Sequence, residues 1–193
     1  IDFITWNISF RSITKKLGIR VVEAPRGRAS QMNAGAKIAC GDILWFLHAD
    51  SVVELIGYEK MIQLMSSGEF IGGAFSLGIS SNKRSLKLIS FLATLRSKYL
   101  GLTYGDQGIF VQKKVFSRLG GYRNLSICED MEFFKRLKKE GKIVILDEKA
   151  STSARRWLSE GIVFTTLRNC LVSSLFIMGF SPKFLSRFYV AIR

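Results

Sequence analysis
Two acidic spots stand out for where they fall. His48–Ala49–Asp50 closes a nearly continuous apolar run, Asp42–Leu47. Glu129–Asp130 opens a helical pattern after the Gly120–Ser126 loop. A carboxylate just past a buried strand suits a hard cation such as Mg2+ or Mn2+, which takes one or two carboxylates and completes its shell with phosphate oxygens and water. The plainer alternative makes Asp50 the cap of the next helix and His48 a surface residue. Acids in a first helical turn are favoured by the helix dipole in any case. Turned into a cleft, one of the Glu129–Asp130 pair would also be a general base for a hydroxyl within about 3 Å.

Three further stretches carry usable chemistry. Arg26–Gly27–Arg28, with Gln31 and Asn33, lies between a strand end and a helix start. Backbone N–H groups there attract phosphate, and arginines add forked donors; a solvated basic turn is the alternative. Tyr104–Gly105–Asp106–Gln107–Gly108 sets a lone acid between glycines in a basic stretch, although Asp beside Gly also makes a plain turn. Ser153–Ala154–Arg155–Arg156–Trp157 places paired arginines next to an aromatic. That pairing suits a diphosphate or a stacked ring, or simply a basic helix start.

The elements that must position these residues alternate. Strands are predicted over Ile19–Ala24, Asp42–His48, Phe70–Ile79, Gly108–Gln112 and Lys142–Asp147. Helices are predicted over Arg28–Cys40, Glu54–Ser66, Arg84–Leu100, Lys114–Leu119 and Glu129–Glu140. Leu88, Phe91, Leu92 and Leu95 share one helical face, while Met131, Phe134 and Leu137 point inward. Gly72–Gly73 would weaken its strand or let a ligand approach the backbone. The phenylalanines, the cysteines and Met61–Met65 read as core. The tail, Ser159–Met178 then Pro182–Ile192, is helical and amphipathic. The order argues an α/β sheet with helices on both faces, where ligands sit beyond strand carboxyl ends.

The chain has 193 residues, 48% hydrophobic and 12% aromatic, with 15 Phe. It is therefore one domain, or one domain with a helical appendix, and neither disordered nor fibrous. A formal charge of +14 attracts polyanions: nucleic acid, anionic lipid or a nucleotide's phosphates. Three scattered cysteines and a single histidine offer no zinc or disulfide framework, which fits a reducing compartment. No signal peptide is seen, and the longest apolar run, Cys170–Phe180, falls short of the about 20 residues a span needs.

Six ordered strings resemble glycosyltransferase family 2, and within it the bacterial transferase 2 group associated with radical-SAM and selenium-related proteins. They are Ala24–Ala36 (APRGRASQMNAGA), Gly41–Ser51 (GDILWFLHADS), Tyr104–Val111 (YGDQGIFV), Leu119–Tyr122 (LGGY), Glu129–Gly141 (EDMEFFKRLKKEG) and Thr152–Trp157 (TSARRW). The resemblance runs from about Leu17 to Tyr189. It implies a GT-A-like mixed sheet flanked by helices, with a domain over 1–158. The C-terminal helices over 159–193 carry Phe164, Leu167, Leu171, Leu175 and Met178 on one face with arginines nearby, and are expected to pack that face on the domain or, as the alternative, to lie on an anionic membrane surface. The resemblance also implies transfer of a sugar from a nucleotide-diphosphate donor to an acceptor hydroxyl, with inversion and a divalent Mg2+ or Mn2+.

His48–Ala49–Asp50 stands at the family's DxD motif, so Asp50 would hold the metal, with His48 replacing the first acid. Glu129–Asp130 matches the ED motif, whose aspartate is the catalytic base of inverting members. Ser153-x-x-Arg156–Trp157 is similar to QxxRW, with Ser for Gln. Diphosphate contacts would come from Arg26, Gly27, Arg28, Gln31, Asn33, His48, Ala49, Asp50, Arg155 and Arg156. Acceptor contacts would come from Tyr104, Asp106, Gln107 and Trp157. The opening Asn-Glu and acidic Gly-Ser strand ends of the family are not found in Ile1–Arg11, so the N-terminal strands of the domain are expected to be missing from this chain. The expected location is cytoplasmic or peripheral on the inner plasma membrane face, with a lipid-linked acceptor as one option. Two rivals are a non-catalytic relative that binds a partner and a basic nucleic-acid-binding module. The second lacks any helix-turn-helix, RRM or zinc-finger signature.

Overall fold
A computed structural model of the chain describes Gly18 and residues 20–188. Among the described residues five strands form one mixed sheet in the order β1-β4-β3-β5-β2. They are β1 (Ile43–Phe46), β2 (Ser51–Val53), β3 (Gly72–Ser80), β4 (Ile109–Gln112) and β5 (Ile143–Ser153). Only β3 and β5 run parallel; the β1–β4, β3–β4 and β2–β5 pairs are antiparallel. The helices are α1 (Arg28–Ile38), α2 (Leu55–Ser66), α3 (Arg84–Leu100), α4 (Lys113–Arg118), α5 (Glu129–Glu140), α6 (Arg155–Glu160), α7 (Ile162–Ile177) and α8 (Pro182–Leu185).

Strand alternation divides the core between the two faces of the sheet. Ala74, Ile109 and Val111 pack with Phe116, Phe133, Phe134 and Leu137, whereas the intervening Phe75 and Phe110 pack with Met61, Met65 and Leu146. The Gly72–Gly73 pair admits neighbouring strands rather than a ligand. A Cβ on Gly72 would lie 2.6 Å from the Phe110 carbonyl oxygen, and one on Gly73 would lie 2.1 Å from that of Val144.

Several expectations change. The Ile19–Ala24 strand is reduced, among its described residues, to a single bridge at Val21; Ile19 lies outside the described residues. So do Ile1–Arg11 and the end of the expected Pro182–Ile192 helix. Asp50 caps no helix, because β2 intervenes and the N-cap position of α2 is Glu54. Cys40 and Cys170 are exposed; only Cys128 is in the core. Phe91, Phe164, Phe180, Phe184 and Phe188 are also exposed.

The orientation of α3 has a clear cause. Pairing of β3 with β4 covers Gly72 and Gly73 only, so the rest of that β3 edge needs other partners. Helix α3 supplies them. The Leu77 N–H donates to Thr94 Oγ1 (3.0 Å), and Ser90 Oγ donates to the Leu77 carbonyl. The buried face of α3 is therefore Leu86, Ser90 and Ser97, and Leu88, Phe91 and Leu92 face outward. The tail behaves alike: α7 buries Thr165, Arg168, Val172 and Ser173, leaving Phe164, Leu167 and Leu171 exposed rather than packed on the domain.

Candidate functional site
A cleft of about 170 Å³ opens where β1, the 3-10 turn Gly105–Gln107, α5 and α6 meet. Asp50, Asp106 and Asp130 line it together with His48, Arg28 and Arg156. A larger groove of about 790 Å³ runs beside α1 and β1 and shares Arg28, His48 and Asp50 with the cleft. The two acids that are eighty positions apart in sequence thus face one space.

Asp130 is the most firmly placed group. Gly105 N–H donates to its Oδ2 (2.6 Å) and Met131 N–H to its Oδ1 (2.8 Å). Cys128, two positions earlier at the N-cap of α5, holds a left-handed φ of 64°, the only described non-glycine residue to do so. Such a conformation costs roughly 1–3 kcal/mol and persists when the surroundings impose it. It sets the entry angle of α5. The first turn of α5 contains three acids, Glu129, Asp130 and Glu132, as the dipole favours. They part ways in use. Glu132 pairs with Arg136 (2.7 Å) and Arg123 (3.1 Å). Glu129 is buried against Arg28, with Arg28 Nη1 at 3.5 Å; burial and the neighbouring Asp130 push its carboxyl pKa up, opposed by Arg28. Only Asp130 lines the cleft.

His48 stands over Gly105: a Cβ there would lie 2.8 Å from His48 Nε2 and 3.2 Å from Asp130 Oδ2. Glycine is needed at 105 because imidazole and carboxylate crowd it from the same side. Burial first, then Arg28, pull the His48 pKa down to about 4 against the pull of Asp130 and Asp50, so the imidazole is neutral at neutral pH. Burial and Asp130 push the Asp106 carboxyl up to about 6, opposed by Arg96 and Arg28. Burial lifts the Tyr104 phenol to about 12, and the Arg96 guanidinium lies 3.9 Å over its ring.

Tyr104, Arg155 and Trp157 also line the cleft, and Gln31 and Ala49 line the groove. Five expected residues sit in neither, and four of them have another use. Asn33 clamps Tyr122, donating from Nδ2 to its carbonyl (2.8 Å) and accepting its N–H at Oδ1 (2.9 Å). Gln107 is fully buried; it accepts from Ser97 Oγ (2.7 Å) and donates to the Phe75 carbonyl (3.0 Å). Gly27 is the N-cap of α1 at φ 138°, a value that favours glycine. Arg26 is exposed. Glu129 acts on Arg28 rather than facing the cleft. The sequence reading also missed Asn169, Val172 and Ser173 of α7, which close one cleft wall. Their only signal was polar residues interrupting an apolar run at helical spacing.

Among the described residues no group of three or more His, Cys, Asp and Glu side chains is arranged to hold a metal. The donor set at hand is the Asp50 carboxylate with the neutral His48 imidazole near by. That set fits an ion that draws most of its ligands from phosphate and water, and not a closed protein cage.

The sequence model of glycosyl transferase family 2 matches residues 6–120. The chain belongs to glycosyl transferase family 2. This family-2 glycosyl transferase chain is similar in fold to the mannosyltransferase PcManGT from Pyrobaculum calidifontis, solved in complex with GDP-Man and Mn2+. The TM-score is 0.59 at 16% identity, covering 78% of this chain and 46% of that one. A mycobacterial protein of solved structure gives a TM-score of 0.44 at 15% identity, over 79% of this chain and 54% of that one. The family-2 chain thus spans about half the length of these solved structures. No curated protein matches it. The curled mixed sheet with flanking helices is GT-A-like.

Proposed function
We propose that this chain transfers a sugar from a nucleoside-diphosphate donor to an acceptor hydroxyl, with inversion at the anomeric carbon. The observation that carries the reading is the convergence of Asp50 and Asp130 on one cleft with Arg28 and Arg156. Asp130 takes the proton from the acceptor hydroxyl, whose oxygen attacks the anomeric carbon as the bond to the diphosphate breaks on the opposite face. Its two backbone hydrogen bonds fix its aim and leave lone pairs for the incoming proton. Arg28 and Arg156 offset the charge that develops on the departing diphosphate. Glu129 keeps Arg28 in place. A divalent Mg2+ or Mn2+, when bound, would be held by Asp50 with His48 and would act as a Lewis acid on the diphosphate. The neighbour solved with GDP-Man and Mn2+ supports this class of donor and ion.

The acceptor end of the cleft also supports a hydroxyl-bearing ligand. Asp106 Oδ1, Asn169 Oδ1 and Trp157 Nε1 line it and have no hydrogen-bond partner within the protein. An unsatisfied buried polar group costs about 1–3 kcal/mol, so two acceptors and one donor together call for a polar ligand or water.

The test is turnover. The chain with Mn2+ and a panel of UDP- and GDP-sugars, supplied with simple glycosides as acceptors, should release nucleoside diphosphate with one sugar. Proton NMR of the product should show the anomer opposite to the donor's. A retained anomer contradicts the assignment of Asp130 as base in a single displacement.

A further inference from the structure
We propose that the outward face of α7, continued by the Phe180–Phe188 segment, is a docking surface for a bilayer containing anionic lipid. Phe164, Leu167 and Leu171 are each at least half exposed, at 60%, 64% and 51%, and Met178 reaches 72%. Their spacing puts them on one side of the helix. No exposed charged residue of α7 shares that side. The one charge in α7 is Arg168, which is buried and ion-paired with Glu160 at 2.5 Å. Beyond α7 the rings of Phe180, Phe184 and Phe188 form a ladder with centroids 6.2 and 5.3 Å apart. All three rings are exposed, and Lys183 and Arg187 are exposed between them. No helix among the described residues is long and apolar enough to cross a membrane. The geometry is that of a helix lying in the plane of a membrane surface.

Charge selects the occupant. Residues 83–101 and 155–188, which include α3 and α7 in contact with each other, hold the exposed basic residues Lys83, Arg84, Lys87, Lys183 and Arg187 outside the cleft, and one acid. That acid is Glu160, already tied to Arg168. Two copies of this chain meeting through this face would bring like charges together. An anionic headgroup layer over an acyl interior satisfies both the basic residues and the apolar ones. The opposite face of α7 lines the cleft through Asn169, Val172 and Ser173. Docking therefore holds the cleft near the headgroups, which, taken with the glycosyl-transfer reading, points to a lipid-carried acceptor.

The test is flotation of the full chain with phosphatidylcholine vesicles, with and without phosphatidylglycerol. Wild type should float with the phosphatidylglycerol vesicles, lose most of that binding at high salt, and stay down with phosphatidylcholine alone. The Leu167→Glu/Leu171→Glu double variant should stay down in every case while keeping its thermal melt and its nucleotide-sugar affinity. Flotation of the double variant equal to wild type would overturn the proposal. So would wild type that ignores phosphatidylglycerol, or a wild-type dimer in sedimentation that the double variant dissolves. None of these results touches the glycosyl-transfer reading, because donor affinity is measured without vesicles.

Discussion

Helix α7 meets two opposite environments. On one side Asn169 and Ser173 reach a cleft whose walls carry buried polar atoms, Asp106 Oδ1 and Trp157 Nε1 among them. On the other, Phe164, Leu167 and Leu171 stand in the open, and the one charge of the helix, Arg168, is buried with its guanidinium 5.4 Å from the centre of the Phe164 ring. Both sides depart from the ordinary arrangement of apolar inside and polar outside. The cleft side is fixed in detail: Asp130 is held at both oxygens by backbone N–H groups, and Arg28 is braced by Glu129. The outer side is fixed only by what lies behind it. Buried polarity with fixed geometry fits a small polar ligand, whereas exposed apolarity with a basic rim fits a surface.

The contrast can be broken most sharply at Asp130. Asp130→Asn should lower turnover by about 10²–10⁴ while donor affinity stays within a few-fold, read by steady-state kinetics beside donor titration. Next is Gly105→Ala, whose methyl would press on His48 Nε2 and Asp130 Oδ2. A displaced base should cost roughly 10²-fold in turnover with little change in the thermal melt. An unaffected Gly105→Ala enzyme would mean that the crowding around position 105 does no positioning.

Asp106 sharpens the comparison through pH. Its carboxyl is raised to about 6 by burial and by Asp130. Between the unfolded value of 3.8 and about 6, the folded chain keeps a proton that the unfolded chain has lost, so stability falls as pH rises through that window. Asp106→Asn removes that loss. The variant should gain up to about 3 kcal/mol over wild type at pH 8 and nothing at pH 4, as read by denaturant melts at both pH values. The smallest effect is expected at Glu129. Glu129→Gln should weaken nucleotide-sugar binding about tenfold through a loosened Arg28, with turnover at saturation nearly intact. A turnover loss as large as that of Asp130→Asn would give Glu129 the role assigned here to its neighbour.

Much of this arrangement is legible locally. The apolar run before His48 becomes β1, shortened to Ile43–Phe46, and Arg84–Leu100 is a helix with the expected ends. The acids at 50 and 130 were visible because strand ends and helix starts are where such groups serve a cleft. What local pattern does not reveal is long-range pairing of side chains with backbone. Asn33 looks like a phosphate ligand until Tyr122, 89 positions away, takes both ends of its amide. Gln107 reads as part of a binding loop until Ser97 and the Phe75 carbonyl use it. The outward apolar face of α3 is unreadable for the same reason: a sheet edge that needed hydroxyl groups turned the helix over.

The most direct measurement is calorimetric titration of a nucleotide-sugar in the presence of Mn2+ into wild type, Asp50→Ala and Asp130→Asn. If the two acids serve one ligand in different roles, Asp50→Ala loses donor binding and Asp130→Asn keeps it. Equal loss in both variants, or undiminished binding in Asp50→Ala, would contradict that division of labour.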